Sequence, residues 1–188
     1  MPRRIAFLRA INVGGHTVKM TRLSELFEEL GFRNVETFIA SGNVIFRSPG
    51  KAATLESKIE RHLHQALGYE VATFIRNDTE VATVAAYQPF TPAQLASAGA
   101  LVVGFLREPP DAAIRKAVLA LRTDVDDFHL NGREMYWRCA GRQSDSKLSN
   151  AVFERTLKGK ATFRNFNTVT RLAARYPSSQ EEGRVPGL

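Results

Sequence analysis

Three short stretches concentrate the residues that could do chemistry. The first, Arg9 to Lys19, sets a guanidinium, an amide and an ammonium around two adjacent glycines: Arg9, Asn12, Gly14, Gly15 and Lys19. The second offers Ser41, Gly42 and Asn43, and the third is Arg164-Asn165-Phe166-Asn167-Thr168. Guanidinium, ammonium, amide N–H and hydroxyl are hydrogen-bond donors, and a glycine pair can expose backbone N–H groups beside them. Such a set suits a phosphate or a carboxylate. The expectation is therefore one polar site for an anionic ligand, formed by Arg9, Asn12, Gly14, Gly15, Lys19, Ser41, Asn43, Arg164, Asn165 and Asn167.

Plainer readings stand beside each of these. On strand periodicity Arg9 shares a face with Ile5, Phe7 and Ile11. A guanidinium in apolar surroundings needs a carboxylate or a bound anion, and an internal partner such as Glu36 would serve as well as a ligand. Gly14-Gly15 lacks both the Lys-Ser/Thr ending of a P-loop and the third glycine of a dinucleotide fingerprint, so a simple tight loop is the alternative. Lys19 falls just before a helix N-terminus, which favours anions. Asn167 or Thr168 is needed as the N-cap of the last helix, but four polar residues in this run are more than a cap requires.

Other chemistries find little support. There is no cysteine cluster and no HExxH, His62 and His64 point to different faces of a helix, and His16 and His129 are isolated, so neither a metal nor a cofactor is expected. A nucleophile elbow is absent. Ser146 and Lys147 are adjacent, a poor geometry for activating a serine, and a capping serine beside a solvent-facing lysine explains them. Base stacking in the manner of RNA-recognition modules would have only Phe7 and Phe46 on the relevant strands, and Tyr136 and Trp137 alternate to opposite sides. Cys139 is the sole cysteine, which rules out an intramolecular disulfide and points to the cytoplasm. No apolar run approaches the roughly 20 residues of a membrane span. The net charge is +7, and the segment from Arg133 to Tyr176, with ten basic residues against three acidic ones, carries a surplus equal to all of it. That imbalance suits an anionic small molecule or a nucleic acid, or else simply a solvated basic face.

The elements that would position these residues follow from apolar spacing. Residues 4–11 are nearly continuously apolar, as in a strand covered on both faces. Thr21 is the expected N-cap of a helix whose stripe is Leu23, Leu26, Phe27 and Leu30, ended by Gly31. VETFIA and NVIFR read as strands, Leu55, Ile59, Leu63 and Leu67 mark a second helix stopped by Gly68, and VATFIR is a fourth strand. Asn77 and Glu80 form a capping box opening a short helix. The same order then recurs. ALVVGFL reads as a strand, Asp111 to Leu121 as a helix, and two strands flank Asn131-Gly132. A helix from Ser146 to Leu157, the short strand ATF and a closing helix through Val169, Leu172, Ala173 and Tyr176 complete it.

The pieces FLRAINVGG, ASGNVIF, SKL at 146–148 and TFRNFNTVTRLA, in that order, resemble the small bacterial proteins grouped as domain of unknown function 1697. The resemblance runs from Arg4 to about Tyr176 and implies a two-subdomain α+β fold, with no established activity. Ala10 stands where the family usually has glycine, implying that the backbone there need not be unusually permissive. Phe166 replaces a usual tryptophan, keeping the aromatic and losing an indole donor.

The combined expectation is an α+β protein of two tandem ferredoxin-like (βαββαβ-type) subdomains packed together, plus extra helices. The N-terminal subdomain is expected over 1–88, a linker over 89–98, a C-terminal subdomain with the final helix over 99–176 and a loose tail over 177–188. Its expected role is binding a nucleotide, a phosphorylated metabolite or a nucleic acid, without a membrane. The alternatives are an enzyme acting on a small phosphorylated or carboxylated substrate, with Arg9, Lys19 and Arg164 positioning the anion, or a protein-interaction scaffold.

Overall fold

The computed structural model describes residues 1–12, 14–39 and 42–178. It is an α+β structure, and residue contacts divide it into two units. One holds Met1–Thr83 and the chain from Leu172 on; the other holds Val84–Arg171.

In the first unit the elements are β1 (Arg3–Leu8), α1 (Met20–Glu28), β2 (Arg33–Phe38), β3 (Asn43–Arg47), α2 (Ala52–Leu67) and β4 (Thr73–Asn77). They form a four-stranded antiparallel sheet in the order β2-β3-β1-β4. The apolar stripes of the two helices bury Leu23, Leu26 and Phe27 of α1 and Leu55, Ile59 and Leu63 of α2. They close over Ala6, Leu8, Val44, Phe46 and Ile75. Each such leucine, isoleucine, valine or phenylalanine side chain contributes about 1.5–3 kcal/mol of burial. The opposite face of β1 is buried as well, through Ile5 and Phe7, which explains the unbroken apolar run in its sequence.

Two short helices follow, α3 (Asp78–Ala86) and α4 (Pro92–Ala96). The capping box at α3 is formed as expected: Glu80 N–H donates to Asn77 Oδ1 at 2.7 Å, and Asn77 N–H to Glu80 Oε2 at 2.8 Å. The stretch read as a linker carries α4, itself opened by a reciprocal box between Thr91 and Gln94.

The second unit repeats the plan with β5 (Ala100–Phe105), α5 (Ala112–Leu119), β6 (Asp126–Asn131), β7 (Glu134–Cys139), α6 (Asn150–Leu157) and β8 (Thr162–Asn165). Its sheet is antiparallel in the order β6-β7-β5-β8. The Asn131-Gly132 turn joins β6 to β7, with Gly132 at φ +57°. Val118, Phe153 and Leu157 pack with Val102, Leu130 and Trp137. The final helix, α7 (Phe166–Arg175), buries Val169 and Leu172, as its spacing requires. Of the expected tail only 177 and 178 are among the described residues.

Several boundaries differ from the sequence reading, each for a local reason. β1 ends at Leu8 because Ala10 turns the chain at φ +60°, so Arg9 and Ile11 do not continue its alternation. Helix α1 starts at Met20, with Lys19 and not Thr21 at the N-cap. Helix α6 starts at Asn150, capped by Ser149, after a turn of 3₁₀ helix at Gln143–Asp145. Ser146 is thus not the cap of α6: its hydroxyl donates to the buried Asp126 Oδ2 at 3.1 Å and accepts from Leu148 N–H. Among the described residues no helix is long and apolar enough to cross a membrane.

Candidate functional site

At the end of the first sheet, the loop leaving β1 and the turn entering β3 meet. Leu8 N–H donates to Gly42 O and Arg9 N–H to Ala72 O, both at 2.8 Å, so the chain leaving β1 is held from both sides. Gly42 adopts φ +72° and lies so close that a Cβ there would stand 2.8 Å from Ile11 Cγ2 and 3.2 Å from Leu8 Cβ. Only glycine fits both the backbone conformation and the space. Ala10 sits in the left-handed region, at a cost of roughly 1–2 kcal/mol, so this position does demand a permissive backbone, contrary to the expectation. Across the turn Ile39 adopts φ +49° and is 42% exposed. A β-branched residue in that region is a true outlier, and such strain gathers at sites where function holds it.

The loop itself is built by the residues expected to bind. Asn12 Oδ1 accepts from Val18 N–H at 2.8 Å, closing the loop over Gly14 and Gly15, which are exposed at φ +64° and +84°. The ring of His16 stacks on Tyr69 with centroids 3.9 Å apart, and the Tyr69 hydroxyl, its pKa raised by burial, donates to Ile11 O at 2.9 Å. Asn43 is fully buried and donates from Nδ2 to Phe38 O at 3.0 Å. Asn12 and Asn43 therefore shape the backbone, whereas Lys19 is exposed at the start of α1. That helix begins with no side-chain cap and no acidic residue in its first turn, leaving its terminal dipole uncompensated. Arg9 is half-buried. Glu36, the carboxylate considered as its internal partner, is engaged instead by the Tyr176 hydroxyl at 2.8 Å and by Arg175 at 3.8 Å. Ser41 lies outside the described residues.

In the second unit strand alternation separates two of the expected residues. Arg164, opposite Val103, is buried at 8% exposure and donates from Nη1 to Thr162 Oγ1 at 2.8 Å and to Phe163 O at 2.9 Å. Burial pulls its pKa down to about 10, so it remains a cation at neutral pH. Asn165, the next residue, is exposed. Its Oδ1 accepts from Asn167 N–H at 2.9 Å, so the cap of α7 is Asn165 and not Asn167 or Thr168. Asn165, Phe166, Asn167 and Thr170 form one wall of a cleft of about 320 Å³, and Leu95 with the chain from Ala98 to Leu101 forms the other.

Two features escaped the sequence reading. β4 ends Thr-Phe-Ile-Arg-Asn and β8 reads Thr-Phe-Arg-Asn, and both run directly into a helix. In each the arginine is buried and bonds the carbonyl before it: Arg76 Nη1 to Ile75 O at 2.9 Å repeats the Arg164 bond. That recurrence of letters was the available signal. The second feature left none. Glu56 and Glu60 of α2 accept from Ile75 N–H at 2.7 Å and Thr73 N–H at 2.8 Å, filling donors that edge strand β4 would otherwise present outward. Among the described residues no group of three or more His, Cys, Asp or Glu could hold a metal ion.

No curated protein matches the chain. Among solved structures it is similar to a conserved bacterial protein from Streptococcus pneumoniae, with a TM-score of 0.70 at 21% identity, over 94% of this chain and 98% of that one. At that identity the likeness speaks for the fold alone. Residues 1–136 match the family described as "Protein of unknown function (DUF1697)", a stretch that contains the Arg9–Lys19 loop and the Gly42 turn and ends before SKL and the Arg164 run. The chain belongs to that family.

Proposed function

We propose that the chain binds an anionic ligand, a nucleotide, a phosphorylated metabolite or a nucleic acid, where the β1–α1 loop meets the β2–β3 turn. The observation that carries this reading is the seating of Gly42 against Leu8 and Ile11. It sets the chain leaving β1 against the entry to β3, with left-handed backbone at Ala10 and Ile39. Arg9 and Lys19 supply the positive charge, and the uncapped start of α1 adds its N–H groups. Gly14 and Gly15 let an anion approach the backbone. Asn12 and Asn43 act by holding the loop and the turn in shape.

Two further parts of the proposal concern setting. Each unit is read as ferredoxin-like, on the shared strand order and the alternation of helices with strands. A cytoplasmic location is supported by a single cysteine, free and buried.

A thermal-shift series with orthophosphate, pyrophosphate, nucleoside monophosphates and single-stranded oligonucleotides tests the reading. A ligand at a hundred times its dissociation constant stabilises the fold by about 2.7 kcal/mol. The expected result is a shift with at least one of these anions that falls away in Arg9→Ala. For an oligonucleotide it should also weaken steeply with salt. Undiminished shifts in the variant would place the site elsewhere.

A further inference from the structure

The cleft in the second unit has walls that are fixed before any ligand arrives. On one side α4 is tied to the sheet: Arg138 Nε donates to Gln94 O at 2.7 Å and its Nη2 to Ser97 Oγ at 3.0 Å. The chain then passes Gly99, where a Cβ would lie 2.3 Å from Gly141 O, so the backbone there admits no side chain. On the other side the Asn165 cap sets the position of Asn167. The cap uses one oxygen. Asn165 Nδ2 and the whole side-chain amide of Asn167 make no hydrogen bond among the described residues.

Three properties define what fits. Among the described residues no charged side chain lines the cleft, and Leu95, Leu101 and Phe166 give it apolar surface. A phosphate or carboxylate would lose hydration there without a counter-charge, so the group that enters is neutral. Both amides line the cleft and together offer donors and an acceptor, which suits a ring edge carrying both C=O and N–H groups. The volume of about 320 Å³ stands at the small end of ligand clefts, room for one ring system and little more. We infer that this cleft holds a nucleobase, its edge read by Asn165 and Asn167 and its ring against the apolar surface of Leu95, Leu101 and Phe166. The inference rests on the proposed function only for the phosphate, which the chain's positive charge would attract from outside the cleft.

Titration of the full chain with the common ribonucleosides, their 5′-monophosphates and single-stranded oligonucleotides, followed by NMR shifts and calorimetry, decides it. The expected result is that at least one phosphate-free nucleoside binds. Asn167→Ala should weaken that binding about tenfold, and Ala98→Leu, which fills the cleft, should abolish it. Arg9→Ala should leave it intact. A monophosphate binding as well as an oligonucleotide identifies a mononucleotide as the source of the base. Oligonucleotide binding far stronger than monophosphate, with the same loss in both cleft variants, identifies a nucleic acid. A melting curve of each variant confirms that it folds. The proposal is overturned if no nucleoside binds, or if both cleft variants bind nucleosides and nucleotides as the wild type does. Phosphate binding that is lost in Arg9→Ala would then leave the anion site standing alone. Conversely, nucleoside binding without any phosphate binding would keep the cleft and dismiss the anion site.

Discussion

At the scale of single residues, backbone conformation separates Ala10 from Gly42. Both lie in the left-handed region, but Ala10 carries a Cβ there and Gly42 has no room for one. Ala10→Gly should therefore raise stability by about 1 kcal/mol, less the extra unfolded-state entropy of glycine, in urea unfolding. Gly42→Ala should lower it by more than 1–2 kcal/mol, about the left-handed penalty with the clash on Ile11 added. Equal effects of the two would mean that the loop and the turn are not pressed together. Neither position was readable beforehand. Glycine at 42 reads as a turn in any sequence, and alanine at 10 reads as ordinary backbone; only the bonds of Leu8 and Arg9 to either side reveal the twist between them. The buried arginines 76 and 164 show the reverse case, since their recurring Thr-Phe…Arg-Asn setting was visible as letters.

At the scale of elements, the apolar spacings of α1, α2 and α7, the Asn131-Gly132 hairpin and the Asn77–Glu80 box were legible because each depends on neighbours a few residues away. The starts of α1 and α6 were not. Lys19 and not Thr21 opens α1, where Asn12 holds the approach through Val18 N–H, and Ser146 is drawn to Asp126 on β6 and leaves the cap of α6 to Ser149. The protection of β4 is equally invisible in sequence, because Glu56 and Glu60 meet their partners through tertiary packing. Removing the Glu56 carboxyl leaves Ile75 N–H buried without this acceptor. Glu56→Ala should cost about 1–3 kcal/mol in chemical unfolding, and Glu56→Gln, which keeps an amide oxygen, should recover part of it. A neutral effect of the alanine variant would show that this acceptor is dispensable. A pH effect belongs to α1 and α2, joined by His62 Nε2 to Glu29 Oε2 at 2.9 Å. Arg22, through its hydrogen bond, and then His62 hold the Glu29 carboxyl below its usual range. A depressed acid stabilises the fold above its unfolded pKa and loses that contribution as pH falls through the lower folded value. Arg22→Ala should therefore flatten the acid side of a stability–pH profile below about pH 4.5, and an unchanged profile would assign the acid loss to other groups.

At the scale of the whole molecule, charge is the one functional property legible from composition. Of the ten basic residues between Arg133 and Tyr176, seven are exposed, so the surplus faces solvent and can attract polyanions from a distance. Composition could not say where an anion would settle, because the candidate surface arises only when the Arg9–Lys19 loop and the Gly42 turn are folded together. The cleft of the second unit likewise joins residues 95–101 to 165–170, segments that no periodicity connects.

The most direct test of the anion site is calorimetric titration of inorganic pyrophosphate into the wild type and Lys19→Asp at low salt. Aspartate at that position caps α1 and should raise stability by about 0.5–2 kcal/mol, so a loss of binding cannot be blamed on unfolding. It also replaces the cation with an anion at the point where the ligand would sit. The account predicts binding to the wild type and at least about a tenfold loss in the variant. Equal affinity in the two proteins, or no uptake of pyrophosphate by the wild type, would contradict it.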